Sequence, residues 1–181
     1  RMYLKRYKLV IITRRIPMPN HCFNRVEFYS NNEEEIKKLH DIFSIDVQAE
    51  DEERTIFGQF IPEPDWPTTP LTEEYVKGIL YDRGEVGELP VPGTDNRGPY
   101  FKSTGRGDDR WYDWRREHWD TKWDCYNLGM CDHDLPNGFE VQFNTAWAPP
   151  EEICRSIREQ YPDTDVQWFY DEPGEGIAGY L

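Results

Sequence analysis

One stretch of the chain concentrates the side chains that can do chemistry. The segment EHWDTKWDCYNLGMCDHD, residues 117–134, holds two tryptophans, two cysteines and two histidines. Thiolates and imidazoles bind metal ions, and structural zinc sites pair their ligands at short spacings such as C-x2–4-C. Five residues separate Cys125 from Cys131, and one residue separates Cys131 from His133. Neither spacing fits the zinc pattern.

A metal-binding domain using Cys and His near residues 118–133 is therefore an alternative and not the main prediction. Cys22 and His21 could join these ligands in space. We predict no bound metal and no cofactor. Three of the four cysteines are instead expected to serve as small hydrophobic side chains of the core, namely Cys22, Cys125 and Cys154.

The tryptophans of the same region offer a second chemistry. Aromatic rings on the sheets of RNA-binding ferredoxin-like domains stack on bases, but that use needs a positive groove beside the rings. Acidic and basic residues alternate around these rings, so direct binding of nucleic acid is not expected. We expect the tryptophan rings to cover a small core and to anchor the insertion predicted at residues 62–110. Trp119 and Trp123 are the candidate aromatic contacts for a protein partner.

Charge is distributed unevenly along the chain. Residues 1–17 hold six Lys/Arg and no acid, whereas residues 18–181 hold 15 Lys/Arg against 35 Asp/Glu. An acidic surface repels phosphate backbones and anionic lipids and favours a basic partner. We therefore expect an acidic interaction protein that binds a protein with a basic surface and mimics nucleic acid in a basic cleft. The residues expected to make the contact are Glu33, Glu34, Glu35, Glu50, Asp51, Glu52 and Glu53.

The basic leader is predicted to lie outside the domain. Composition changes abruptly at Met18, so we interpret residues 1–17 as an upstream extension and residues 18–181 as a single domain. No apolar run is long enough to span a membrane, and no export signal follows the short apolar run of the leader. We expect a cytoplasmic protein whose four cysteines are reduced.

A small enzyme is the second alternative. If Met18 is the initiator, its removal exposes Pro19, whose secondary amine could act as a general base or nucleophile. The sequence offers no substrate pocket to accompany this amine. It also lacks the phosphate-binding glycine loop, G-x-S-x-G and H-E-x-x-H patterns. We therefore predict that the protein is not an enzyme.

Periodicity in the first third of the chain predicts a strand and a helix. Residues Cys22 to Tyr29 alternate as a strand, with Arg25 and Glu27 on its outer face. The following segment, SNNEEEIKKLHDIF, has capping residues, acids in its first turn and an apolar stripe, and so predicts a helix. A second strand is predicted at Thr55–Ile61. Residues 62–110 then form a long insertion with one short helix at 71–81.

The last third repeats the pattern. Phe139 to Trp147 alternate strictly and predict a half-buried strand, and APPEEICRSIREQYP predicts a helix that begins at proline. Further strands are predicted at Val166–Tyr170 and Ile177–Leu181. This order predicts an α+β, ferredoxin-like split βαβ sandwich, in which an antiparallel sheet carries two helices on one face and a long insertion follows the second strand.

Several segments together resemble the YubB-type ferredoxin-like domain family of small phage- and plasmid-encoded proteins. They are MPNHCFNRV, FGQFIPEP, WYDWRREHWDTKWDCY, VQFNTAWAPPEEI and YDEPGEGIAGYL, which run in the family's order from Met18 to the C-terminus. The chain departs from the family pattern at His21, where Trp is usual, and at Asp120, where Gly is usual. The resemblance implies the fold and an origin in a mobile element, and it implies no catalytic residues. With that origin, the basic partner expected from the charge is a host or viral protein.

Overall fold

An antiparallel sheet with helices packed on one face organises the chain. The computed structural model describes residues 20–45, 55–69, 85–90, 97–102, 110–131, 135 and 137–181. The N-terminal leader, Pro19 and the helix predicted at 71–81 lie outside these ranges.

The elements follow one another in this order. Strand β1 (His21–Tyr29) leads into helix α1 (Glu33–Phe43), two 3-10 turns (Phe57–Gln59 and Trp66–Thr68) and the strand pair β2 (Glu85–Pro90) and β3 (Arg97–Lys102). Helix α2 (Arg110–His118) then precedes strands β4 (Tyr126–Cys131) and β5 (Gly138–Ala146). Helix α3 (Glu151–Gln160) and strands β6 (Asp165–Glu172) and β7 (Ile177–Tyr180) complete the described chain.

The main sheet has the strand order β4-β5-β1-β6-β7, and its neighbours all pair antiparallel. Strands β1, β4, β5 and β6, together with helices α1 and α3, form the βαββαβ arrangement of a ferredoxin-like domain, to which β7 adds an edge strand. The fold class predicted from the sequence is therefore confirmed. Strands β2 and β3 form a separate two-stranded sheet.

The prediction of a strand at Thr55–Ile61 is wrong. These residues form a 3-10 turn, in which Ile56, Phe57 and Phe60 are all buried. A strand would bury only every second residue, whereas this spacing suits a tight helical turn. The second strand of the sheet is β4, so the predicted insertion at 62–110 precedes that strand.

The core lies between the sheet and the helices. Buried side chains of β1, β5 and β6 meet those of α1 and α3, and the apolar stripes predicted for both helices are confirmed; the cluster includes Val26, Phe28, Leu39, Phe43, Val141, Phe143, Ile153, Ile157 and Trp168. Polar side chains are buried beside this cluster, and Asn24 is one of them. The Asn24 amide donates to Thr145 Oγ1 at 2.9 Å and accepts from Trp168 Nε1 at 3.0 Å, so its burial is compensated by hydrogen bonds.

Candidate functional site

The acidic run at residues 33–35 lies in the first turn of α1. Asn32 caps this helix by accepting hydrogen bonds from the backbone of Glu34 and Glu35. Negative side chains are favourable here because the helix dipole is positive at its N-terminus. Glu33 and Glu34 are exposed, but the Glu35 carboxylate accepts a 2.8 Å hydrogen bond from Thr164 Oγ1. Glu35 therefore also has a role within the fold.

An open groove of about 630 Å³ runs beside this turn and is lined by Ser30, Asn31, Asn32, Glu33, Glu34 and Asp163. Asn32 Nδ2 donates to Asp163 Oδ2 at 3.0 Å. The groove is therefore polar and acidic. The second predicted acidic run, residues 50–53, lies outside the described residues, so its role in binding a partner stays a prediction.

The two tryptophans proposed as a contact surface lie in different environments. Trp119 is 0% exposed, packs edge-on against Phe57 and donates its indole N–H to Ile61 O at 2.9 Å. The prediction that Trp119 belongs to a surface is wrong, because its ring completes the core next to the 3-10 turn. Trp123 is 38% exposed and stays available for contact.

A different set of aromatic side chains is exposed on the face of the sheet opposite the helices. We call this the open face. It consists of the outward positions of β1, at His21, Phe23, Arg25 and Glu27, and the residues paired with them in the neighbouring strands. Phe23 is 36% exposed, although β1 is the central strand. An aromatic ring that stays this exposed at the centre of a sheet is available for a partner.

A row of side chains runs from Arg25 on β1 to the edge of the sheet formed by β7. The guanidinium of Arg25 lies 5.6 Å from the centroid of the Phe169 ring on β6. Phe169 in turn contacts Tyr180 of β7 at 5.4 Å between centroids, and Tyr180 is 69% exposed. These three side chains form a continuous row across β1, β6 and β7.

Aromatic contacts also extend in the other direction, to the end of the sheet where β1 begins. His21 and Tyr126 meet edge-on with 5.6 Å between centroids, and His21 Nδ1 lies 2.6 Å from the Tyr126 hydroxyl. Tyr126 contacts Trp123 at 6.3 Å. Burial raises the pKa of Tyr126, so its hydroxyl stays neutral at physiological pH.

The charges around these rings are mainly negative. Asp171 pairs with Phe23, and Asp165 pairs with Tyr29, the next outward position of β1 after Glu27. The basic residue Arg25 lies on the same side, with its Nε 3.8 Å from Glu27 Oε1. The phenol of Tyr29 donates to Glu27 Oε2 at 2.8 Å, and this hydrogen bond raises the pKa of Tyr29. The open face thus combines apolar rings with carboxylates that attract cations.

Three of the four thiols are poorly suited to metal binding or nucleophilic attack. Cys22, Cys125 and Cys154 are buried, as predicted. Burial raises the pKa of Cys22 and of Cys154 to about 11 and raises the pKa of Cys125 well above its ordinary value. These side chains therefore stay protonated, whereas both roles need the thiolate.

His118, which is close to the cysteines in the sequence, makes contacts with Trp114. His118 stacks on Trp114 with 4.3 Å between centroids, and its Nδ1 lies 2.8 Å from Trp114 O. Within the described parts of the chain, no three His, Cys, Asp or Glu side chains come together as a metal-ligand set. His133 and Pro19, on which the two alternative functions depend, lie outside those parts.

Most open-face residues were missed by the sequence analysis, although a signal for them was present. The alternation of β1 placed Arg25 and Glu27 outward, and the same alternation places Phe23 outward. In β6, the inward positions of Val166 and Trp168 leave Phe169 on the opposite side. The sequence could not show that these outward positions lie side by side, because they belong to strands that are far apart in the sequence.

The fold and this face define a ferredoxin-like α+β domain with an aromatic, acidic surface. A family model described as "Ferredoxin-like domain in Api92-like protein" matches residues 118–181, from the end of α2 to the C-terminus. The chain is also similar to the crystal structure of protein Api92 from Yersinia pseudotuberculosis. The two share 13% identity over 90% of this chain and 93% of that chain, with a TM-score of 0.43.

Two further comparisons gave negative findings. No curated protein matches the chain. Among the described residues, no helix has the length and apolar character needed to cross a membrane.

Proposed function

We propose that this chain is a non-enzymatic interaction protein of phage or other mobile-element origin, whose open face binds a basic segment of a host or viral protein in the cytoplasm. The observation that carries this proposal is the exposed Phe23 ring on the same face as the row of Arg25, Phe169 and Tyr180, with carboxylates around them. Rings supply apolar contact area, and the acids select cationic side chains. The mobile-element origin rests on the resemblance to YubB-type proteins.

The charge of the face distinguishes a protein partner from RNA. Ferredoxin-like domains that bind RNA also present aromatic rings on the open sheet, but their affinity depends on basic residues that neutralise phosphates. Here Glu27, Asp165 and Asp171 would repel a phosphate backbone. A lysine- or arginine-rich peptide gains from both the rings and the carboxylates.

The acidic runs have a separate part in this proposal. Glu33 and Glu34, together with residues 50–53, add to the negative field that accelerates association with a basic partner. Such a field extends only about 10 Å at 0.1 M salt, so binding should weaken as salt rises. A protein of this charge competes with nucleic acid for a basic cleft, which is how mimicry would operate.

The test uses two double variants that each remove two negative charges. Asp165→Asn with Asp171→Asn alters the open face, whereas Glu33→Gln with Glu34→Gln alters the start of α1. Fluorescence anisotropy measures binding of a labelled nona-arginine peptide and of single-stranded RNA to each full-length variant. Because the change in net charge is equal, any difference between the variants reports where the peptide sits.

We expect the open-face variant to lose several-fold more peptide affinity than the α1 variant, with Phe23→Ala and Tyr180→Ala also weakening binding. Loss of one contact worth about 1 kcal/mol corresponds to roughly fivefold. Equal losses in both double variants would mean that only the overall field matters. RNA binding that is stronger than peptide binding would overturn the proposal.

A further inference from the structure

Two exposed indole rings lie near one cation at the end of the sheet. Lys122 Nζ lies 4.0 Å from the centroid of the Trp123 ring and 5.9 Å from that of the Trp147 ring. Trp123 is 38% exposed and Trp147 is 49% exposed. Both distances are within the range of a cation–π interaction. The pair therefore already holds a positive charge in the unbound protein.

Hydrogen bonds from a neighbouring threonine set this arrangement. The Thr121 hydroxyl donates to Ala146 O and lies equally close to Ala146 N, at 3.1 Å in both cases. Thr121 and Ala146 are the residues immediately before Lys122 and Trp147. Their pairing brings the two chain segments side by side, so the lysine and the second indole adjoin.

The backbone of Trp147 adopts a conformation that large side chains rarely accept. Its φ is +79°, in the left-handed region that favours glycine. The Trp147 N–H donates to Asn20 O at 2.9 Å, and Thr145 Oγ1 donates to Ala148 O at 2.7 Å. A bulky residue remains in such a conformation only where the surrounding structure imposes it, and these positions cluster at ligand sites.

We propose that Trp123 and Trp147 form a cation site, the indole clamp, for an arginine side chain of the protein partner, and that Lys122 occupies this clamp until the partner binds. This inference rests on the proposed function, which requires a basic partner. Arginine is favoured over lysine because its planar guanidinium is more weakly hydrated and stacks on aromatic rings. A guanidinium from the partner can therefore displace the tethered ammonium of Lys122.

The clamp also joins the open face. Trp123 contacts Tyr126, and Tyr126 contacts His21 at the start of β1. A basic segment lying along β1 can thus place one arginine between the carboxylates and another at the clamp. Lys122 acts as an internal competitor for the second position.

Removal of this competitor provides the test. Lys122→Met should bind nona-arginine about two- to fivefold more tightly than Lys38→Met, a variant that removes the same charge from an exposed position of α1. Lys122→Arg should bind the peptide no more tightly than the native protein, because a guanidinium at this position keeps the clamp occupied at least as firmly as the ammonium does. Trp147→Ala or Trp123→Ala should abolish the gain in the Lys122→Met background.

A second measurement examines the unbound protein. The ε-methylene protons of Lys122 should resonate upfield of those of Lys38, because the indole rings shield them, and Trp123→Ala should remove this shift. Equal affinities for Lys122→Met and Lys38→Met, with the open-face variants still impaired, would overturn the clamp alone. No peptide binding by any variant would overturn the proposed function as well. An unshifted Lys122 signal would contradict the occupied clamp whatever the peptide does.

Discussion

Asp120 shows how one residue can combine a strained backbone with a capping bond. Its φ is +60°, in the left-handed region that favours glycine. The carboxylate accepts a 2.8 Å hydrogen bond from Glu152 N, in the first turn of α3. The residue at the N-cap position itself, Pro150, makes no side-chain capping bond. Asp120 thus caps a helix that is distant in the sequence. Burial raises its pKa, and Arg155 opposes this effect.

Replacement of Asp120 should separate these two roles. Asp120→Ala loses the cap and keeps a side chain in the left-handed region, so we expect a loss of about 2 kcal/mol in unfolding free energy. Asp120→Gly loses only the cap and should be about 1 kcal/mol more stable than the alanine variant. Urea unfolding measures both values. An alanine variant as stable as the native protein would contradict the capping role.

At the scale of elements, one buried carboxylate fastens the 3-10 turn to the sheet. Asp124 accepts hydrogen bonds from three backbone N–H groups: Ile56 at 2.6 Å, Phe57 at 3.0 Å and Cys125 at 2.9 Å. Burial raises the pKa of Asp124, and these hydrogen bonds with nearby Arg115 oppose the shift. In a strand, the N–H groups of Ile56 and Phe57 would have donated their hydrogen bonds to a neighbouring strand. The Asp124 carboxylate accepts these hydrogen bonds instead.

Removal of this carboxylate should release the turn. Asp124→Ala leaves buried N–H groups without acceptors, and we expect it to lower the free energy of unfolding by about 3 kcal/mol. Amide hydrogen exchange at Ile56 and Phe57 should accelerate. Asp113→Ala is the matched control, because Asp113 is an exposed aspartate on α2. If both variants show the same exchange and stability, Asp124 does not hold the turn.

Helix α2 is attached to the same region by aromatic and charged groups. The Arg115 guanidinium lies 5.1 Å from the Trp111 ring and 4.8 Å from the Trp119 ring, and it forms an ion pair with Glu63. Trp114 meets Trp66 edge-on at 6.2 Å. The expectation that tryptophans anchor the inserted segment is confirmed for these rings.

At the scale of the whole molecule, the two faces of the sheet have different tasks. The inner face holds the core, and the outer face keeps half-exposed rings and carboxylates. This separation lets the binding surface change without disturbing the packing. We therefore expect the open-face and clamp variants to retain the thermal stability of the native protein.

The basic leader is the remaining large-scale prediction. If residues 1–17 lie outside the domain, a chain of residues 18–181 should unfold at the same temperature as the full chain. A loss of about 1 kcal/mol would lower the midpoint by a few degrees at this size. A drop of several degrees on truncation would mean that the leader packs on the domain. Thermal unfolding by circular dichroism measures the comparison.

The sequence alone was sufficient for the elements whose periodicity is local. Strands β1 and β6 and helices α1 and α3 each show the burial that their apolar patterns predict, and the order of the elements was enough to name the fold class. The strand predicted at Phe139–Trp147 is confirmed only as far as Ala146, because Trp147 lies beyond the end of β5 and is 49% exposed. The run at Thr55–Ile61 failed because a short apolar segment fits a strand or a turn equally well. In this segment the 3-10 turn is held by the carboxylate of Asp124, which is 68 residues away from Ile56 in the sequence.

The candidate site required the tertiary structure. Composition showed an acidic chain rich in aromatic residues, but pairing register decided that Phe23, Phe169 and Tyr180 share one open face while Trp119 is enclosed. The indole clamp likewise depends on Thr121 meeting Ala146. Local pattern determines which side of its own strand or helix a residue occupies, because that side follows from backbone geometry. Which residues become neighbours across strands is decided by long-range pairing and packing.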